Sequence, residues 1–115
     1  MKEFIKVMKA LSDPTRVKIL KMLQHKTMCV CEIHTALGKA QSTTSKHLKI
    51  LEDVGLIMYQ KDGLWVNYKI SDGSQSPYAA SLIGNLKHWF NDEPEIKKIV
   101  GLLPGINRNE ILNKN

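Results

Sequence analysis

Met28-Cys29-Val30-Cys31-Glu32-Ile33-His34-Thr35-Ala36-Leu37-Gly38, continuing through Gln41-Ser42-Thr43-Thr44-Ser45-Lys46-His47-Leu48 to Leu51-Glu52-Asp53-Val54-Gly55, contains two helix patterns separated by a short break. A short helix over about Val30 to Leu37 stops at Gly38, a residue suited to the left-handed turn that ends a helix. A longer one runs from about Gln41 to Val54 and stops at Gly55. Two helices joined by so tight a break form the helix-turn-helix pattern. Both cysteines of the chain lie at its start. A soft-ligand cluster is therefore adjacent to an element that can read DNA.

Upstream, Phe4, Met8 and Leu11 fall at helical spacing, widened by Ile5 and Val7. Ser12-Asp13-Pro14 breaks that helix and starts the next, with Ser12 or Asp13 accepting free N–H groups and Pro14 in the first turn. Val17, Leu20 and Leu23, with Ile19, give this second helix a buried face. Downstream the period changes to two. Leu64, Val66, Tyr68 and Ile70 alternate with Trp65, Asn67 and Lys69, and Asp62-Gly63 reads as a hairpin turn after a strand over Leu56–Lys61. From Pro77 a last long helix is expected to carry Tyr78, Leu82, Leu86 and Trp89 on one stripe. Pro94 interrupts, Ile96 to Leu103 suits one more short helix, and the tail after Pro104 is expected to be disordered.

The fold class is thus mostly α with a β-hairpin wing: a winged helix-turn-helix of order α-α-α-α-β-β-α, with an apolar face that suggests a dimer contact. Residues 1–92 are assigned to the DNA-binding and dimerisation domain, and 93–115 to a short C-terminal helix and flexible tail. The apolar stripe of Tyr78, Leu82, Leu86 and Trp89, with Phe4 and Met8, is the candidate dimer interface, since it exceeds what so small a core needs.

At 115 residues the chain fits one domain, and with 43% apolar and 24% charged residues it should fold. No apolar run is long enough for a membrane span, so the expected compartment is the cytoplasm, with no membrane partner. The net charge of +6 is uneven. Residues 1–70 hold 12 Lys/Arg against 6 Asp/Glu, whereas residues 71–115 hold 5 of each. The excess basic charge accompanies the reading head, as a polyanionic partner requires.

With Thr44, Leu48 and Leu51 as the buried stripe of the fourth helix, 100° per residue puts Ser42, Lys46, Lys49 and Asp53 opposite, flanked by Thr43 and Ser45. Hydroxyls suit base edges or phosphates, and lysines suit phosphates. Gln41, Ser42, Thr43, Ser45, Lys46 and Lys49 are therefore candidate DNA contacts, joined by Lys61, Asp62 and Gly63 of the wing. His47 lies nearer the buried stripe and reads as a hydrogen-bonded structural histidine. Ala40 stands where a capping Ser or Asp would be expected.

Cys29 and Cys31 are about 200° apart on a regular helix, so one ion reaches both only if Cys29 precedes the helix or its first turn unwinds. Cys31 and His34 share a face. Cys29, Cys31 and His34 form a candidate site for a soft or borderline ion: As(III), antimonite, cadmium, lead, copper(I) or zinc. Two vicinal thiols also suit a redox or reactive-sulfur switch, which a thiol pKa lowered by the helix N-terminus would favour. A winged-helix protein-interaction module without salt-dependent DNA affinity is a further class. No nucleophile has a base partner in a motif and no glycine loop cradles phosphate, so an enzyme is not expected, nor an organic cofactor.

These motifs resemble the ArsR family of winged-helix repressors. Ala10-Leu11-Ser12-Asp13-Pro14-Thr15-Arg16 is similar to its second-helix opening, Gln41 to Leu48 with Leu51-Glu52 and Gly55-Leu56 to its recognition helix, and Asp62-Gly63-Leu64-Trp65-Val66-Asn67-Tyr68 to its wing. Cys29-Val30-Cys31 is similar to the motif of the arsenic-sensing branch, which commonly has a third cysteine where this chain has His34. The resemblance implies a homodimer built on the first and last helices. Its metal-free form would hold a near-palindromic operator and be released by the inducer.

Overall fold

The computed structural model describes residues 1–113. Helix α1 spans Lys2–Leu11 and α2 spans Pro14–His25; strand β1 (Met28–Cys29) leads into α3 (Val30–Leu37), which is followed by α4 (Gln41–Asp53). The hairpin β2 (Ile57–Asp62) and β3 (Trp65–Ile70) precedes α5 (Pro77–Leu86), α6 (Pro94–Leu102), a 3-10 turn at Leu103–Gly105 and α7 (Arg108–Asn113). This is a winged helix-turn-helix. Among the described residues no helix is long and apolar enough to cross a membrane.

The breaks follow local chemistry. Asp13 starts α2 by accepting the Arg16 backbone N–H at 3.1 Å, with Pro14 in the first turn. Gly38, at φ +68°, ends α3, and Gly55, at φ +82°, ends α4. Helix α2 is the centre of the molecule, with Ile19 to Leu23 buried in unbroken succession. A helix buried on all sides must bury whatever it carries, including Lys21, which is 1% exposed. Its Nζ donates to the Leu86 carbonyl at 2.6 Å, and burial pushes its pKa down. Around α2 collect Val7, Ile33, Leu48, Leu51, Leu56, Ala79 and, from the C-terminal segment, Ile99 and Leu103.

Several expectations are corrected. The sheet has three strands, ordered β1-β3-β2, with Met28 opposite Tyr68 and Cys29 opposite Asn67. Two residues are too few to show a period, which hid β1. Asp62 pairs with Trp65, so the turn residues are Gly63 and Leu64 rather than Asp62 and Gly63. Gly63 has φ +61° and Leu64 does not share that region, the pattern of a type II′ turn with glycine first. Leu64 is therefore at the wing tip, fully exposed, not on the inward face of β3.

Helix α5 stops at Leu86, before Trp89, which follows in a turn whose N–H reaches back to the Leu86 carbonyl at 3.3 Å. Phe90 then takes φ +66°, which no helical path can follow. Leu86 itself is 1% exposed and belongs to the chain's own core, so it has no surface for a partner. The segment after Pro104, expected to be a flexible tail, carries α7. The Lys26 Nζ donates to the carbonyls of Leu103 (3.2 Å) and Ile106 (2.8 Å), satisfying the end that a disordered tail would leave open.

Candidate DNA-reading surface and thiol site

Thr44, Leu48 and Leu51 are fully buried, as the helical period requires, and Gln41, Ser42, Thr43, Ser45, Lys46 and Lys49 are all exposed on α4. No side chain caps the helix at Ala40, whose carbonyl accepts instead from the Thr44 N–H and hydroxyl. His47 takes its expected structural place, its Nδ1 lying 3.1 Å from an Arg16 guanidinium nitrogen. Arg16 also donates to the carbonyls of Ala10 (2.6 Å) and Lys9 (3.2 Å). One side chain thus ties the end of α1 and the start of α2 to the reading helix.

The two lysines of the reading face are not equivalent. The Lys49 ammonium is 3.1 Å from Asp53 and 3.8 Å from Glu52, and its hydrogen bond to Asp53, reinforced by both charges, raises its pKa. Lys46 has no such carboxylate among the described residues. On the wing, Lys61, Asp62 and Gly63 are exposed beside Leu64.

At the other end of the motif, Cys29 is both the last residue of β1 and the residue preceding α3, with extended φ −83° and ψ 167°. Its N–H donates to Glu32 Oε1 at 3.0 Å, which holds this conformation. Because Cys29 lies outside the helix, the 200° argument no longer separates the thiols: the two Sγ atoms are 2.7 Å apart. Unwinding the first turn is therefore unnecessary for both to reach one centre.

Cys29 is 2% exposed, and burial, then its hydrogen bond to Cys31 and the nearby Glu32 charge, push its pKa up to about 12. The expected depression by the helix N-terminus is outweighed. Among the described residues, no three or more His, Cys, Asp or Glu side chains converge to hold a metal ion. The structure thus brings Cys29 and Cys31 together but leaves His34 outside a ready three-ligand set, since one helical face does not reach back to a thiol in β1.

Exposed hydroxyls and an unpaired lysine on the second helix of a helix-turn-helix, with a wing beside it, define a winged-helix DNA-binding regulator. The family model described as bacterial regulatory protein, arsR family, matches residues 13–59. The chain is 34% identical over 97 residues to the arsenical resistance operon repressor of Escherichia coli, covering 84% of this chain and 80% of that protein. It is 46% identical over 67 residues to an uncharacterized HTH-type transcriptional regulator of Methanocaldococcus jannaschii, covering 57% of this chain and 75% of that one. Its fold matches the homodimeric winged helix-turn-helix DNA-binding domain of a possible ArsR-family regulator from Mycobacterium bovis (TM-score 0.64, 28% identity, 76% and 77% of the two chains). The chain belongs to the ArsR family. It is a DNA-binding transcriptional regulator, not an enzyme.

Proposed function

We propose that this protein is a metalloid-responsive repressor that holds operator DNA as a homodimer and lets go when Cys29 and Cys31 together bind arsenite or antimonite. The observation that carries the reading is the pair of free thiols 2.7 Å apart at the junction of β1 and α3. The dimer reading is supported by the exposed apolar residues Phe4, Met8, Tyr78 and Trp89, with Leu82 half-buried beside them. Phe4 and Tyr78 already meet edge to face at 5.4 Å, joining α1 to α5 in one surface.

The raised pKa of Cys29 bears on the inducer. A divalent cation must expel one proton from each thiol it binds, which a pKa of about 12 opposes at neutral pH. Neutral arsenious acid exchanges two hydroxyls for two thiols and releases two waters, with no net proton. The site therefore favours an inducer that brings its own base, with a small-molecule thiol as third sulfur and His34 secondary. The same burial disfavours the redox reading, since the thiolate is the species that oxidises.

Release is assigned to geometry. Arsenic–sulfur bonds of about 2.3 Å at the near-right angles of pyramidal As(III) fix two sulfurs roughly 3.3–3.5 Å apart, so binding clamps Cys29 and Cys31 in one relative placement. Cys31 sits in the first turn of α3, which packs on α4, and Cys29 is paired with Asn67 of the wing strand. Clamping the pair thus acts on both DNA-contacting elements.

The test uses a duplex selected by the protein from a random pool. Arsenite should release the wild-type protein, while the Cys29→Ser/Cys31→Ser protein should bind that duplex but ignore arsenite, a loss of at least about 100-fold in response, or roughly 2.7 kcal/mol of coupling. X-ray absorption should show sulfur in the first shell of bound arsenic. Arsenite release that survives the double change would falsify the proposal.

A further inference from the structure

Strand β3 should present Trp65, Asn67 and Lys69 to solvent if the wing were a free ribbon with one face on the core. Instead Trp65 and Asn67 are half-buried. What covers them is Arg108, the first residue of α7: its guanidinium carbon lies 4.5 Å from the centre of the Trp65 ring, and a terminal nitrogen donates to Asn67 Oδ1 at 3.3 Å. Trp65 and Asn67 are two apart on one strand and so share a face. A single side chain therefore spans that face while Tyr68 and Ile70 pack against the core from the other.

We propose that Arg108 is a positioning residue for DNA binding, bracing the wing from the side opposite the core. The brace has a fixed base. Just before Arg108, the carbonyls of Leu103 and Ile106 are held by Lys26, the residue that follows α2, and Leu103 is itself buried. Its target is well placed. Trp65 pairs with Asp62 at the tip of the hairpin, and Asn67 pairs with Gln60 on one side and Cys29 on the other.

Arg108 thus grips the middle strand at two points along its length. β1 pairs only with Tyr68 and Asn67, so toward the tip the sheet is a two-stranded ribbon, which is marginal in water and takes its direction from what packs on it. Without the brace this outer part of the hairpin would sample more orientations, and DNA binding would have to select the one that suits α4. This inference rests on DNA binding alone and stands whether or not the thiols sense arsenite.

The test compares the full chain with its Arg108→Ala, Arg108→Lys and Asn67→Ala variants, with Trp65 followed by its indole N–H resonance in NMR spectra. Arg108→Ala should weaken duplex binding about five- to tenfold. The dependence of binding on salt should stay the same, because a brace neutralises no phosphate. The Trp65 indole N–H resonance should shift and exchange faster with solvent, as should the backbone amides of β2 and β3. Arg108→Lys keeps a cation for Trp65 and should fall between wild type and Arg108→Ala. Asn67→Ala, which leaves Arg108 in place, should show a smaller loss of the same kind.

A salt slope lowered by about one unit per protomer in Arg108→Ala would make Arg108 a phosphate contact and overturn the proposal. Unchanged affinity with unchanged hairpin exchange would overturn it as well. Should Arg108→Ala unfold, the Arg108→Lys and Asn67→Ala proteins decide the question by the same readouts.

Discussion

The reading face of α4 and the thiol pair at the β1–α3 junction lie close in sequence but meet water in opposite ways. The first is a set of hydroxyls and ammonium groups in full solvent, where each contact with DNA competes with water and salt. The second is withdrawn from solvent, with Cys29 nearly inaccessible and its proton held far above the usual thiol range. In the function proposed above, exposure makes the DNA contacts individually weak and reversible. Burial there makes the thiol site selective by charge: it would resist cations that must drive protons off, and admit a neutral partner that exchanges water.

The sharpest way to break this contrast is to vary pH while measuring ligand affinity. Cadmium affinity should rise about tenfold per pH unit from the Cys29 proton alone across pH 6 to 8, and arsenite affinity should stay nearly flat. Equal slopes for the two would mean that Cys29 is not held protonated. The same shift has a consequence for stability. The folded thiol keeps its proton up to about 12 and an unfolded one only to 9.0, so its contribution is intact below pH 9 and is lost as pH rises towards 12.

A smaller effect concerns the exposed region. Lys46→Ala should flatten the salt dependence of duplex binding by about one unit per protomer, a loss of three- to fourfold for each of the two copies in its fall between 50 and 200 mM salt. Lys49→Ala should change it less, because Asp53 and Glu52 already neutralise that ammonium in the free protein. Titration of binding against salt for the two variants checks the order, and a reversed order would remove the intrahelical pairs as the cause. The smallest effect is a gain. Ala40→Ser should supply the missing cap and stabilise α4 by ~0.5–1 kcal/mol, read as a rise in Tm of about 2–6 °C.

What could be read beforehand follows the same division. Inside α4 every side-chain direction follows from one angle, so Thr44, Leu48 and Leu51 could be placed inward and Lys46 outward from spacing alone. The starts and stops at Asp13, Gly38 and Gly55 were legible because each residue type does one job there. Features that turn on a single backbone dihedral or a distant partner were not. The extended conformation of Cys29 decides whether two thiols converge, and it depends on Glu32 and on a two-residue pairing with β3. The early end of α5 turns on the positive φ of Phe90, and the carbonyls of Leu86 and Leu103 are met by the amines of Lys21 and Lys26, which no local pattern announces. The burial of Lys21 was hidden because one charged residue in an apolar helix ordinarily marks its solvent face.

Those amines carry one further consequence, for how this chain can drift. Lys21 of α2 and Lys26, the residue that follows it, both reach to main-chain oxygens, of Leu86 in one case and of Leu103 and Ile106 in the other. A carbonyl is present whatever side chain its residue bears. These two attachments of the C-terminal third are therefore written on α2 and the residue after it, and the segment they hold is free to change its letters wherever packing and the Arg108 brace allow. Random mutagenesis selected for folded protein should find Lys21 and Lys26 intolerant, with the polar positions from residue 87 to 98 freely replaced. Such a segment is raw material for new specificity on an unchanged DNA-binding frame.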